Sequence, residues 1–544
     1  MKVGVILCSC VRREGILLEE VINTLQKYDS ALQVISIQDL CTTFPEQVKR
    51  LAIWELRTVV LSHCCQEKNP SSFASLLGQM GLQPFSVELL APPLRKVGQF
   101  PQSQELTETF TRLTLAATMR AKARAGLTPD HLKSTPLPGG QAISRRDLLF
   151  SLLHRHYELI PAVDASSCIA STGCRLCLPS CPEGAILFQE ERVMIKKESC
   201  TGCGLCLPIC PQQAILFPPF SPKELDAQLA LLLGGGGKEA AKKVLLLACQ
   251  RATPHLGEGS ERGIAPLAAS PLQILDLRLP SLALLSPFLL LKALSLGATG
   301  ITLFRCTAQT CACHNPRFQD MLHFSEALLV ALGVEGARLC SLDAGEGSEG
   351  ALSRKLQIFL ETLEQFSPPF PQGEPLREAI LATSDLSSLL KVLLGSVSPR
   401  HARLVEKGVP LGLLALQGPS FCTFCGICPS VCPTQALTIE EEGGEYNLNF
   451  AHALCVACGE CVRQCPEQVL NLERGLDFAL LQKGPLSLTK DEIIYCRECK
   501  EEIAPARMLA KVQNKLSEKN SQQDLLALCA TCRLKKSLHR LAKL

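Results

Sequence analysis

The chain has 544 residues, too many for one hydrophobic core, and at about 100–200 residues per domain it must divide into several units. Its 55 Lys and Arg against 52 Asp and Glu, a net charge of +3, are spread along the sequence and leave no basic footprint for nucleic acid. Thirty cysteines follow a start, Met1 to Cys8, that lacks the basic and long apolar regions of an export signal, so a reduced, cytoplasmic setting is expected, with cysteines serving metal rather than disulfides.

Residues 1–125 alternate strand-like runs (Val3 to Cys8, Leu32 to Gln38, Thr58 to Cys64, Phe85 to Leu90) with amphipathic runs (Leu17 to Tyr28, Pro45 to Leu56, Ser72 to Gly81). Closed by a helix from Glu105 to Arg124, they predict a small α/β, Rossmann-like domain. Residues 126–165 hold a linker, Thr135 to Gly140, and a predicted helix from Ser144 to Ile160. A first cysteine block occupies 166–220. Residues 221–242 read as a helix, Lys223 to Leu233, and a joint at Gly234 to Gly237. Those glycines follow a helix rather than a strand, which makes them a flexible link and not a phosphate loop. No G-x-G-x-x-G opens a βαβ unit, so no bound dinucleotide or flavin is expected.

A second α/β, Rossmann-like domain is predicted over 243–367. Its strands are Val244 to Cys249, Leu272 to Leu277, Gly300 to Cys306 and Ala337 to Leu342, and its helices Phe288 to Leu296, Phe318 to Leu332 and Leu352 to Phe366. Pro280, Pro287, Lys292 and Gly297 interrupt the longest apolar stretch, Leu279 to Phe304, so no membrane span is expected. Residues 368–417 read as a helical connector, 418–475 as a second cysteine block repeating the first, and 476–544 as a small C-terminal domain. The fold class is therefore multidomain, α/β plus α+β.

The strongest signal is C-x-x-C-x-x-C-x-x-x-C-P, present at Cys200, Cys203, Cys206, Cys210 and Pro211, at Cys422, Cys425, Cys428, Cys432 and Pro433, and at Cys455, Cys458, Cys461, Cys465 and Pro466. Three close cysteines can cap three irons of a cubane, and the fourth ligand must come from elsewhere. In bacterial-type 2[4Fe-4S] ferredoxins the cysteine before proline serves the other cluster. Cys422, Cys425, Cys428 and Cys465 then form one set and Cys455, Cys458, Cys461 and Cys432 its neighbour. In the first module Cys200, Cys203, Cys206 and Cys181 form one set and Cys168, Cys174, Cys177 and Cys210 the other. Five residues rather than two separate Cys168 from Cys174, so that loop is longer and its cluster is expected to differ in potential or lability. Ile186, Ile215, Leu437 and Leu470 recur at one offset after the prolines, where they would shield clusters from water. Zinc knuckles are the alternative for these sixteen cysteines, but zinc does not need four cysteines twice over at this pitch.

Other cysteines stand apart. Cys496-x-x-Cys499 and Cys529-x-x-Cys532 have the zinc-ribbon pattern, suited to one structural zinc in a domain with little core; a redox or further iron-sulfur site is the minority reading. Cys8, Cys10, Cys64 and Cys65 lie at predicted strand ends and Cys41 just past one, the edge of an α/β sheet where ligands sit, so Cys8 or Cys10 with Cys41 and Cys64 can hold a further cluster; buried thiols without a ligand are the alternative. The central domain repeats the arrangement with Cys249, Cys306, Cys311 and Cys313, a set able to bind a 2Fe-2S cluster. Cys340 is expected in the core, and His314 is a weaker ligand choice.

With these pieces placed, the chain resembles a fusion of parts from heterodisulfide reductase complexes. Val5-Ile-Leu-Cys-Ser-Cys10, the isolated Cys41 and Val59-Val-Leu-Ser-His-Cys64 are similar to the N-terminal domain of the flavin-carrying subunit of heterodisulfide reductase, without the flavin domain that follows there. The segment Lys292-Ala-Leu-Ser-Leu-Gly-Ala-Thr-Gly-Ile-Thr-Leu-Phe-Arg-Cys306, followed by Cys311 and His314, resembles the delta subunit of methyl-viologen-reducing hydrogenase. That family carries further cysteines where this chain has Thr253 and Leu279-Pro-Ser-Leu282, so the resemblance implies an altered or missing 2Fe-2S cluster. It also implies an anaerobic, cytoplasmic redox complex with a flavoprotein, hydrogenase, formate dehydrogenase or heterodisulfide-reductase-like partner.

The functional expectation is a non-catalytic electron-transfer subunit working through four 4Fe-4S clusters. Two rivals remain. An iron-sulfur redox or oxygen sensor acting through partner binding would need an output domain, and none is evident. Thiol or disulfide catalysis at Cys8, Cys10, Cys64 and Cys65 lacks a nearby His or Lys pattern to lower a thiol pKa.

Overall fold

A computed structural model describes residues 3–8, 16–37, 58–62, 87–90, 103–125, 132–135, 156–233, 242–249, 272–307, 311–344, 349–517 and 526–541. They fall into two compact units, Met1–Cys168 with Cys177–Ser398, and Ile169–Leu176 with Pro399–Leu544.

In the first unit, β1 (Val3–Cys8) is apolar along its length, as a strand covered on both faces must be. It pairs in parallel with β2 (Gln33–Ile37) and β3 (Thr58–Ser62), and β3 with β4 (Val87–Leu90), giving the order β2-β1-β3-β4. Helices α1 (Leu18–Tyr28) and α2 (Ser103–Ala125) accompany this sheet. Buried threonines line α2, and Thr111, Thr114 and Thr118 bond back to the carbonyls of Thr107, Phe110 and Thr114, which spares their hydroxyls an unpaired burial.

A helix expected from Ser144 to Ile160 is not what ends there: β6 (His156–Leu159) pairs antiparallel with β5 (Leu132–Thr135). Pro161, one residue beyond Ile160, biases the chain toward extended backbone, and the pairing partner completes the choice. The first cysteine block then contributes a hairpin of β7 (Ile186–Gln189) and β8 (Arg192–Ile195). The expected helix before the glycine run is α3 (Pro222–Leu233); the glycines themselves lie outside the described residues.

The central sheet repeats the first in strand order. β9 (Lys243–Cys249), buried at every position, pairs in parallel with β10 (Gln273–Leu279) and β11 (Ala298–Arg305), and β11 with β12 (Leu339–Asp343), in the order β10-β9-β11-β12. Helices α4 (Pro287–Ser295), α5 (Pro316–Ala331) and α6 (Glu349–Gln365) accompany it, and α7 (Glu374–Leu381) and α8 (Leu386–Leu394) form the connector. Gln273 of β10 bonds Thr109 of α2, tying the two α/β domains together. The apolar stretch from Leu279 is thus cut into a short helix and a strand, and among the described residues no helix is long and apolar enough to cross a membrane.

Helix α4 is buried on all sides and yet carries Lys292, whose ammonium is fully enclosed. It sits 2.8 Å from the Asp226 carboxylate of α3, donates to the carbonyl of Thr383 at 2.7 Å, and lies 5.1 Å from the centre of the Phe288 ring.

In the second unit the chain before the cysteine block supplies β13 (Gly412–Leu416), which pairs antiparallel with a strand after the block, here named β16 (Leu470–Arg474). Between them β14 (Leu437–Glu442) and β15 (Glu445–Phe450) form a hairpin turned by Gly443 and Gly444, both at positive φ. β15 also pairs with β17 (Leu486–Tyr495), and β17 with β18 (Glu502–Pro505), so one four-stranded sheet runs across the expected boundary at 475/476. Helices α9 (Ala506–Ser517) and α10 (Ala530–Leu541) complete this part.

Replacing Asp226 with Ala leaves the Lys292 ammonium enclosed without its counter-charge and is expected to cost about 3 kcal/mol, whereas Lys292→Met, which removes the charge itself, costs less. Thermal unfolding of the holo chain followed by circular dichroism checks this order.

Candidate metal centres

The cysteine loops share a backbone device. The residue before the second cysteine is left-handed in every repeat: Gly173, Gly202, Phe424 and Ala457 have φ of 102°, 63°, 54° and 51°. The residue after it is left-handed in three, at Gly204, Gly426 and Gly459, and the third residue after the last cysteine in all four, at Gly184, Gln213, Gln435 and Gln468. Such reversals turn successive N–H groups into one concavity, a nest for the negative charge of thiolates and sulfide. The amides of Ala185, Ala214 and Ala436 donate to the sulfurs of Cys181, Cys210 and Cys432 at 3.3, 3.3 and 3.2 Å. The longer loop departs from the rule: Arg175 stands where the others have glycine, and its guanidinium bonds the carbonyls of Ala170 and Cys174.

In the second module one cavity is bordered by Cys422, Cys425, Cys428 and Cys465, with Phe424 and Leu470. A separate cavity is bordered by Cys432, Cys455, Cys458 and Cys461, with Leu437 and Phe450. Each gathers three thiols from one motif and the thiol before proline from the other. Burial pushes the Cys428 and Cys461 thiols up to about 12 and Cys455 to about 11, and a bound cation would offset that cost for their thiolates. The donor set and its shape fit a 4Fe-4S cluster in each cavity. Gly412 allows close approach here, since a Cβ on it would stand 2.8 Å from the Cys455 sulfur. His452 is not a ligand: its Nδ1 bonds the Gly412 carbonyl at 2.9 Å and its Nε2 accepts from the Asp477 amide at 3.1 Å, bracing the loop.

In the first module burial raises the Cys206 thiol well above its usual value, and repulsion from Cys203, Cys200, Cys177 and Cys181 adds to it. Cys181 also lies close enough to Cys203 to raise it, behind burial as the main cause. Burial likewise raises Cys210, with Cys168 contributing. Cys174 falls in the Ile169–Leu176 segment, which groups with the second unit. The four apolar residues after the prolines are all buried, Ile186 and Leu470 at 6% exposure and Ile215 and Leu437 at 2%.

At the C-terminal edge of the central sheet, Cys249 ends β9, Cys306 follows β11, and Cys311 and Cys313 lie on the next turn. In this strand order β9 and β11 flank the point where successive connections part, the crevice where open α/β sheets bind ligands. The four sulfurs are buried and all lie within 4.8 Å of one another, with Cys249 to Cys311 at 3.9 Å and Cys306 to Cys313 at 3.7 Å. Hydrogen bonds from Cys249 and then Cys313 hold the Cys311 thiol far below its ordinary value. His314 stands outside this group; its Nε2 meets the Cys306 carbonyl at 2.7 Å and its Nδ1 lies 3.8 Å from Asp343, which fixes the turn. Cys340, half-buried within β12, is also outside it, and burial raises its thiol to about 11.

Cys496, Cys499, Cys529 and Cys532 likewise gather within 4.8 Å, with Cys499 and Cys529 3.5 Å apart. The amides of Cys499 and then Cys529 bring the Cys496 thiol down to about 6. Among the described residues, Leu528, with Ile503 partly buried beside it, clusters with Cys496, Cys529 and Cys532, a small core that a tetrahedral ion would complete. Its helix α9 also reaches the iron-sulfur module. Arg507 lies 5.9 Å from the Phe424 ring, bonds Asp491 and Thr489, and eases the charge on Cys422; Lys511 pairs with Glu467, which accepts from Thr423. None of these braces was legible from spacing. Of the N-terminal cysteines, Cys8 is described only as the last residue of β1, and Cys10, Cys41, Cys64 and Cys65 lie outside the described residues.

Comparison with known families agrees with this geometry. Residues 167–214 and residues 421–470 each match a 4Fe-4S dicluster domain. A search of curated proteins gave no significant match. The chain therefore carries two 4Fe-4S dicluster domains, with room for up to four 4Fe-4S clusters and an electron-transfer role.

Proposed function

We propose that the chain is a non-catalytic iron-sulfur subunit of a cytoplasmic redox complex of the heterodisulfide reductase or hydrogenase kind, passing electrons between a flavoprotein, hydrogenase or formate dehydrogenase and a partner reductase. The observation that carries this reading is the pair of cavities in the second module, each bordered by three thiols of one motif and the proline-preceding thiol of its sister. A bound 4Fe-4S cluster supplies reversible one-electron transfer. The chain's own residues set the conditions: sixteen thiolates hold the clusters, buried Ile186, Ile215, Leu437 and Leu470 keep water out, and amides aimed at Cys181, Cys210 and Cys432 stabilise negative charge. The strand order of the two parallel sheets supports the Rossmann-like reading of both α/β domains. The compact C-terminal thiol group supports a structural zinc held by Cys496, Cys499, Cys529 and Cys532.

Anaerobically reconstituted protein is expected to hold about sixteen irons in the two modules by chemical analysis and low-temperature magnetic resonance, and fewer than about eight would overturn the reading. Crossed ligation makes a second, sharper forecast. Cys465→Ser combined with Cys422→Ser should lose no more iron than either change alone, about four per chain, while Cys465→Ser with Cys455→Ser should lose about eight; the reverse pattern would place each fourth ligand in its own motif. Arg507→Gln removes a cation near Cys422 and leaves Asp491 in place, so redox titration should find the potential of that cluster lowered and its neighbour's less affected.

A further inference from the structure

We propose that Cys249, Cys306, Cys311 and Cys313 hold a single tetrahedrally coordinated metal ion, iron or zinc, and not a 2Fe-2S cluster. This goes beyond the relay reading and does not depend on it. Four thiolates at about 2.3 Å from one ion stand about 3.8 Å apart along each tetrahedron edge. The observed separations of 3.9 Å for Cys249 and Cys311 and 3.7 Å for Cys306 and Cys313 are those edges. A two-iron cluster also sets two thiolates at such a spacing on each iron, but its sulfide-bridged core must then stand between the two pairs and drive them apart. Here every sulfur of one pair stays within 4.8 Å of every sulfur of the other.

The chain supplies its own standards for this distance. Its C-x-x-C pairs at Cys496 and Cys529, a pattern suited to one ion, are gathered equally closely. Among the described residues, those two groups alone bring three or more such ligand atoms within that span, and the ferredoxin cysteines, which have cubanes to enclose, do not. The surroundings of the central group are closed as well. Its cysteines are 1%, 0%, 5% and 0% exposed, the Ser281 hydroxyl lies 3.9 Å from the Cys311 sulfur, and the Pro280 carbonyl accepts from the Cys249 thiol at 3.7 Å. Two strand ends and one short turn fix the four sulfurs, with His314 holding the carbonyl of Cys306.

Position gives the ion a role. Ala312, between two of the ligands, packs with Ala283 and Leu205 against Cys203 of the first ferredoxin module. Iron at this point would be a one-electron centre beside that module, and zinc would be a lock that holds the sheet edge against it.

The test compares full-length protein, purified anaerobically, with C306S/C313S, with C499S/C532S as comparator and C340S as a control outside the group, measuring iron, zinc and acid-labile sulfide. The central double variant should lose one metal equivalent per chain and no sulfide, and C340S neither. Loss of about two irons with two sulfides would overturn the proposal, as would no loss of metal. If the double variant also sheds cubane iron, unmutated protein decides. Iron-57 Mössbauer spectra should then contain one high-spin iron in four sulfurs, or zinc-edge X-ray absorption should count two ions per chain, each in four sulfurs. A spin-coupled iron pair, or one zinc and no such iron, refutes it.

Discussion

A sulfur buried among apolar side chains keeps its proton unless positive charge or a ring of donors compensates the thiolate. That constraint organises this molecule. In the second module Cys428, Cys455 and Cys461 are pushed upward by burial, so the side chains that exclude water from the sites also raise the cost of an uncompensated thiolate. The backbone answers the same demand from the other side, with left-handed residues turning amides inward and alanine amides donating to three of the proline-preceding cysteines. Metal, donors and apolar cover are parts of one electrostatic arrangement.

The two kinds of thiol group differ in how they meet it. In the second module each cavity gathers thiols from both motifs, so forming either one needs both halves folded. The central and C-terminal groups are compact and local to their domains. The C-terminal group is nevertheless not an isolated appendage: β17 extends the hairpin of β14 and β15, and α9 places Arg507 and Lys511 beside residues that flank Cys422 and Cys465.

Much of this was legible because metal ligation is local. Cysteine spacing, joined to the ligation rule of two-cluster ferredoxins, pointed to the crossed sets, and the apolar positions of Ile186, Ile215, Leu437 and Leu470 followed from their repeated offset. The strands of both parallel sheets were readable from composition, but their order was not, since pairing joins segments far apart in sequence. The same non-locality hid the sheet across residue 475. Phe424 and Ala457 concealed their conformation because neither residue type favours it; Phe424 is held there between Tyr446, at 6.2 Å between rings, and Arg507. At residues 156–159 the expected end of a helix gives way to the pairing of β5 with β6. His452 revealed nothing in sequence because its partners are a backbone carbonyl and a backbone amide.

The reversed backbone at Gln213, Phe424, Gln435, Ala457 and Gln468 carries one more implication. A residue with a side chain held in that region stores on the order of 1 kcal/mol, and several together approach the slender margin by which a domain stays folded. Iron and sulfide inside the loops would help to repay that tension, beside packing such as that of Phe424 on Tyr446. Nutrient supply and conformational integrity thus become one equilibrium, and a cell short of iron would hold this chain as loosened polypeptide open to proteolysis rather than as an intact but idle carrier.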